Sequence, residues 1–182
     1  PAVLPPAAPP AVAQPDAAAP PWRRHAVAAP PAAGKPRVVI VIDDLGIDKK
    51  RSARVAGLPG PLTLSYLTYA SDLAAQTEAA RAAGHELMLH VGMEPNDKSV
   101  DPGPNVLLTG SHAADIRQRL DWGLARFDGY VGVNNHMGSR FTRDEAGMDA
   151  VMAELARRGL LFLDSRTSGH TIAAAVAQRH RV

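Results

Sequence analysis

Two adjacent carboxylates, Asp43 and Asp44, follow a short run of β-branched residues, and two histidines, His90 and His136, stand at the ends of two later apolar runs. Carboxylate and imidazole hold a divalent cation in an open shell, leaving a position for water or a substrate oxygen. Paired carboxylates beside a buried strand are costly unless something positive compensates them. A cation does so when one Asp ligates it and the other stays free as a base. The bland alternative is that Asp43 or Asp44 merely caps the following turn, a common use of a lone Asp. Two strand-end histidines beside the pair favour the metal, with His90 and His136 completing an Asp-His-His set.

Asn134, Asn135, Ser139 and Arg140 surround His136, and Gly138 permits close backbone approach to a ligand. Amide and guanidinium groups of this kind suit recognition of hydroxyl, acetamido or carboxylate groups. Glu94, four residues after His90, is either a spare ligand or base folded over the metal, or a solvent-facing loop carboxylate. Asp164 and Arg166 pair with each other, or Asp164 orients a catalytic group from behind. The other histidines, His25, His85, His112, His170 and His180, read as linker, packing or surface residues.

The elements that must position these groups follow from periodicity. Residues 37–42 are β-branched and apolar, as expected of a strand buried on both faces, and residues 62–67 and 86–90 form the next two strands. Residues 130–133 and 160–163 supply two more, the last also buried. Between them lie helical stretches. Asp48 caps one closed by Gly57, and Ser71 with Asp72 opens one ending at Gly84. Ser111 caps a third with Ile116, Leu120, Leu124 and Phe127 on one face, and Thr142 to Glu145 forms a capping box for a fourth ending at Gly159. Residues 94–110 are a long loop, and 173–182 are helical. Strand and helix alternating in this way give a parallel sheet or an α/β barrel. All the polar clusters follow strand C-terminal ends, which share one face in such folds and gather catalytic groups there.

Composition bounds the rest. Residues 1–36 are mainly Pro and Ala, unable to offset their ordering entropy by burial, and read as a disordered or extended linker; the folded domain spans 37–182. A formal net charge of +2 and the lack of a basic stripe argue against nucleic-acid binding. No cysteine is present, which excludes disulfides and thiol catalysis. No apolar run is long enough to span a membrane, and the linker suits a domain tethered through a missing N-terminal segment. The domain is expected to be cut short at its C-terminus, because too few strands are present to close a barrel.

Four segments carry a resemblance: residues 41–46 (VIDDLG), the stretch from Gly84-His85-Glu86 through Leu89-His90 to Met93-Glu94-Pro95, residues 134–142 (NNHMGSRFT) and residues 162–167 (FLDSRT). In this order they resemble the divergent polysaccharide deacetylase family, a distant branch of the polysaccharide deacetylases. The resemblance implies a distorted (β/α) barrel and a metal-dependent hydrolase, a carbon-nitrogen hydrolase of linear amides, with Zn²⁺ as cofactor. It implies N-deacetylation of an N-acetylated envelope polysaccharide such as peptidoglycan. It assigns Asp43 as base and Asp44 as metal ligand, with Asp164 among the catalytic groups. His90 takes the first position of the family's histidine pair; Glu94 stands at the second, so His136 is the substitute third ligand. Glu94, Asn135, Ser139, Arg140 and Arg166 line the substrate side. A late Gly-His-Pro segment of the family, which supplies the acid histidine, has no counterpart before Val182. A periplasmic or envelope-located bacterial monomer is expected. The alternative is a non-catalytic envelope protein using the same fold to bind glycan or a cell-wall protein.

Overall fold

The computed structural model describes residues 17–29 and 31–182. The apolar runs form five strands, β1 (Val41–Leu45), β2 (Thr63–Leu67), β3 (Glu86–Met93), β4 (Gly132–Met137) and β5 (Leu161–Leu163). They pair in parallel in the order β1-β2-β3-β4-β5. The helices are α1 (Pro21–Arg24), α2 (Lys49–Ala56), α3 (Leu73–Ala82), α4 (Ala113–Leu124), α5 (Glu145–Arg158) and α6 (Ala173–His180), with a 3-10 turn at Phe141–Arg143. Strands successive in sequence are also neighbours in the sheet. Right-handed crossovers repeated in one direction lay the connecting helices α2 to α5 on one face, which makes this sheet an arc of a (β/α) barrel. Among the described residues no pairing joins β5 to β1.

Strand alternation then separates two chemistries. Leu64, Tyr66, Leu87, Leu89, Val91, Met93 and Val133 face the helices and share one core with Ile116, Leu120, Met148, Met152 and Leu155. The intervening positions carry Ser65, Met88, His90 and Asn134, all buried. The concave side of the arc is therefore the polar side, and it leads to the C-terminal ends of the strands.

The structure departs from the sequence reading at the edges. The first strand begins at Val41 rather than Arg37, and Val38, Val39 and Ile40 stay 84%, 75% and 53% exposed. Edge position explains this, since β1 has one neighbour and, among the described residues, these side chains are left largely open to solvent. Asp43 and Asp44 consequently lie within β1, and Asn134, Asn135 and His136 within β4, not after them. β5, read as buried, is the opposite edge, with Leu161 and Leu163 exposed.

Two helix starts also move. His112, not Ser111, precedes α4, and neither makes a side-chain cap. The expected Thr142 capping box is absent because Thr142 lies inside the 3-10 turn, its hydroxyl donating to the Gly138 carbonyl at 2.9 Å, and Asp144 stands at the start of α5. At α3 Asp72 adopts a left-handed backbone and pairs with Lys49 instead of capping. Part of the Pro/Ala segment is ordered against the domain. Trp22 N donates to the Gly159 carbonyl at 3.2 Å, and Val27 N to Glu86 Oε2 at 3.3 Å. The expectation for residues 1–16 lies outside the described residues.

One glycine fixes how closely β5 approaches. A Cβ on Gly132 would lie 2.3 Å from the Leu161 carbonyl oxygen, a backbone atom that moves only with its strand. Gly132→Ala is expected to destabilise the protein by about 1–3 kcal/mol. Hydrogen exchange at the Leu161 amide, which bonds the Val131 carbonyl, should accelerate before exchange in β2 and β3. Uniform exchange rates across the sheet would refute this.

Candidate metal centre

Three strands bring three ligand atoms together. Asp44 Oδ1 stands 3.2 Å from His90 Nε2 and 2.9 Å from His136 Nδ1. The two imidazole nitrogens are 3.2 Å apart. Atoms each about 2.0–2.1 Å from one cation lie roughly 2.9–3.4 Å from one another, so these spacings fit three ligands on one face of a coordination sphere. Among the described residues this is the group of acidic and imidazole side chains that converges in this way.

Each ligand is placed by its strand. A shift in the β1–β2 register between Ile42 and Leu45 accompanies a left-handed backbone at Asp44 (φ 57°), which turns its carboxylate towards β3. Asp and Asn tolerate that conformation better than other side chains. Met137, after His136, is also left-handed at φ 55°, and Gly138 continues the turn at φ 88°. A Cβ on Gly138 would come within 2.9 Å of Met93 Cβ, so this turn needs glycine.

His90 is held from behind. Its side chain is 3% exposed, and its Nδ1 lies 2.9 Å from Asn134 Oδ1. The same oxygen accepts from the Ser65 hydroxyl at 2.5 Å, while Asn134 Nδ2 donates to Ser165 Oγ at 3.2 Å. The amide's donor side is thus engaged, so His90 donates from Nδ1 to this oxygen, which aims Nε2 at the centre. Asn134→Ala is expected to weaken divalent-metal binding about 10–100-fold by freeing the ring. Calorimetric titration with Zn²⁺ tests this, and unchanged affinity would remove Asn134 from the orienting role.

Electrostatics set the same ligand forms. The hydrogen bond from His90 is the main force holding the Asp44 carboxyl below the usual range, helped by the charges of His90 and His136 against the cost of partial burial. Burial, reinforced by His90, lowers the His136 imidazole despite the opposing pull of Asp44. A carboxylate and a neutral imidazole are the forms that bind metal. Asp43 stays apart, with Oδ2 3.8 Å from His90 Nε2 and its side chain 46% exposed.

The remaining expected site residues separate into those near the opening and those that brace it. Glu94 does not join the ligand group. Its carboxylate accepts from Thr109 N at 2.7 Å and pairs with Arg140 at 3.1 Å. Its carbonyl receives the Arg140 and Phe141 amides, each at 3.0 Å. Asn135, expected on the substrate side, is fully buried instead. It donates to the Met137 carbonyl at 2.7 Å and accepts from Ser165 N at 2.9 Å, because it sits on the helix-facing side of β4. Ser139 Oγ accepts from Asn96 N at 2.9 Å, bracing the long loop. Arg140 remains half-exposed beside Asn96, Thr109 and Arg143. The Asp164 carboxylate takes the Arg166 backbone amide at 2.8 Å, and the exposed Arg166 has a left-handed backbone.

Sequence reasoning left two participants unused. Ser65 is a hydroxyl in the middle of a wholly buried strand, and that misplaced polarity was the available signal. Tyr69 follows β2, and its hydroxyl is pushed up by burial and then by the charges of Asp44 and Asp101, so the field of Asp44 reaches it. His85 is the packing residue expected, buried with Nδ1 accepting from Leu62 N at 3.2 Å.

The chain has relatives in sequence and in structure. An uncharacterised protein of Haemophilus influenzae is 32% identical over 148 residues, covering 80% of this chain and 52% of that protein. The uncharacterised protein YibQ of Escherichia coli is 34% identical over 146 residues, covering 80% and 45%. The chain thus spans about half the length of the curated relatives it matches. The crystal structure of the uncharacterised protein ATU2773 from Agrobacterium tumefaciens superposes with a TM-score of 0.82 at 30% identity, covering 89% of this chain and 66% of that one. The family model for the divergent polysaccharide deacetylases matches residues 40–182, which include every strand of the sheet and all three converging ligands. The chain belongs to the divergent polysaccharide deacetylase family.

Proposed function

We propose that this domain is a metal-dependent hydrolase that removes acetyl groups from an N-acetylated polysaccharide of the bacterial envelope, peptidoglycan being the substrate class in view. The observation that carries the reading is the convergence of Asp44, His90 and His136 at the C-terminal ends of parallel strands, with exposed Asp43 alongside. Two imidazoles and a carboxylate are a donor set suited to Zn²⁺ and leave coordination positions open. When bound, such a cation polarises an amide carbonyl and acidifies water.

The chain's own residues do the rest. Asp43 takes a proton from the water that attacks the acetamide carbonyl carbon and passes it to the amine nitrogen as the C–N bond breaks and acetate leaves. Asn134 keeps His90 in one tautomer throughout. Arg140 and Arg166, exposed at the same end of the sheet, meet the sugar hydroxyls. No described helix is long and apolar enough to cross a membrane, so a membrane tether would lie outside the described residues.

The test is acetate release from N-acetylglucosamine oligomers and from peptidoglycan, using the chain with its native flanking sequence. Release is expected with Zn²⁺ and should stop on chelation. Stoichiometric metal without release from any glycan would instead favour the second reading, a binding module without turnover. That reading draws on Glu94, which occupies the place of the family's second histidine and is committed to Arg140 and Thr109.

A further inference from the structure

At the opposite end of the strands from the metal centre, the ordered part of the N-terminal segment roofs a cleft of about 520 Å³. Arg24 and His25 come from the segment, Arg81 from the end of α3, and Arg157 and Arg158 from the end of α5. Arginines at helix C-termini ordinarily serve the helix dipole, so the count of partners matters. Arg157 and Arg158 share Glu154, and Arg158 also takes Asp121 at 2.5 Å. Those two are neutralised. Arg81 donates to the Asp128 backbone carbonyl, and Asp128 is the one acid in the lining. Arg24 has its Nε buried with no hydrogen-bond partner.

A buried guanidinium N–H without an acceptor costs free energy that an anion would recover. We propose that this cleft binds a phosphate-type oxyanion, gripped by Arg24 and Arg81 and carried either by free phosphate or by a phospholipid headgroup. Guanidinium groups arriving from separate elements offer donors in more than one plane, which suits a tetrahedral oxyanion better than a planar carboxylate. The local field agrees: burial first, then the charges of Arg24 and Arg81, pushes the His25 imidazole below its ordinary range. Gly129, with a left-handed backbone that favours glycine (φ 79°), leaves the space that the Arg81 guanidinium occupies. Binding would also fasten the N-terminal segment, because Arg24 reaches the cleft only while Trp22 stays bonded to Gly159.

Trp22 reports on the event. In a Trp122→Phe background it is the sole indole, and its fluorescence should change saturably as inorganic phosphate is added to the full chain. Arg24→Ala and Arg81→Ala should each weaken binding about ten-fold or more, with Arg24→Lys intermediate because it keeps charge without the fork. Thermal melts of each variant separate loss of binding from loss of fold. Co-sedimentation with phosphatidylglycerol-containing vesicles, against pure phosphatidylcholine, separates the two sources. Arginine-dependent vesicle binding with weak phosphate binding assigns the site to a headgroup, and the converse assigns it to free phosphate. No saturable response to either, or one unchanged in both arginine variants, overturns the proposal.

Discussion

Asp44→Asn is expected to abolish stoichiometric divalent-metal binding while leaving the fold intact. The substitution is nearly isosteric, and Asn accepts the left-handed backbone at this position (φ 57°) as readily as Asp does. The carboxylate is 64% exposed, so its loss leaves no buried orphan. What disappears is the one anionic member of the converging set. Loss of an outer-shell partner typically costs about 10–100-fold in metal affinity, and loss of a ligand should exceed about 100-fold. Asp43→Asn, one residue earlier, is expected to behave oppositely. It should retain the metal but lose about 10²–10⁴-fold in acetate release, the contribution of a positioned base. Metal analysis and acetate assay on the two variants together decide the roles. Full metal occupancy in Asp44→Asn would sink the ligand assignment, and undiminished release in Asp43→Asn would sink the base.

Phe141→Ala should produce the largest loss of stability. Phe141 is fully buried in the main core directly after the turn that carries His136 to Arg140. A Cβ on Gly147 would come within 2.8 Å of its ring, so the ring packs flush against the first turn of α5. Its amide also bonds the Glu94 carbonyl, tying the ends of β3 and β4 together. Truncation of a buried Phe costs about 3–5 kcal/mol. For a chain of this length that lowers the melting midpoint by roughly 10 °C or more. Thermal denaturation checks it. A shift of a degree or two would mean that the turn is held by its hydrogen bonds rather than by this ring.

The interior of the fold was legible because burial on two faces leaves a plain signature. Residues 62–67 set Leu and Tyr between small hydroxyl residues, residues 87–89 are continuously apolar, and the two runs became β2 and β3 within a few residues of the expected limits. Edges were not legible in the same way. Val38 to Ile40 carry the same β-branched signal as a central strand, but pairing depends on what lies alongside, and nothing local in the sequence records that. Strand limits at β4 were missed because Asn134, Asn135 and His136 look like loop residues; in a barrel arc the concave face of a strand is polar, so the usual apolar signature breaks while the strand continues. The helix caps at Ser111 and Thr142 failed for another reason, since α4 starts after His112 and a 3-10 turn takes up Thr142 before α5 begins.

Much of the site's chemistry could be read from residue types at strand ends, but the division of labour could not. Glu94 and Asn135 have the composition of recognition residues, yet their hydrogen bonds are spent on the long loop and on the segment after β5. Asn134 has the same side chain as its neighbour and the opposite orientation, because successive strand residues face opposite ways. A one-residue change of register would exchange their roles.

The row formed by Ser65, His90, Asn134 and Ser165 crosses from β2 to the segment following β5. Such a row works as a strut. The imidazole is aimed by the relative twist of four neighbouring segments, not by the flexibility of its own side chain. Anything that splays the β5 edge pulls on Ser165, then on the Asn134 amide, and so rotates His90. The aim of the His90 ring is therefore a gauge of the curvature of the arc, and what packs against β5 bears on it without touching Asp44, His90 or His136.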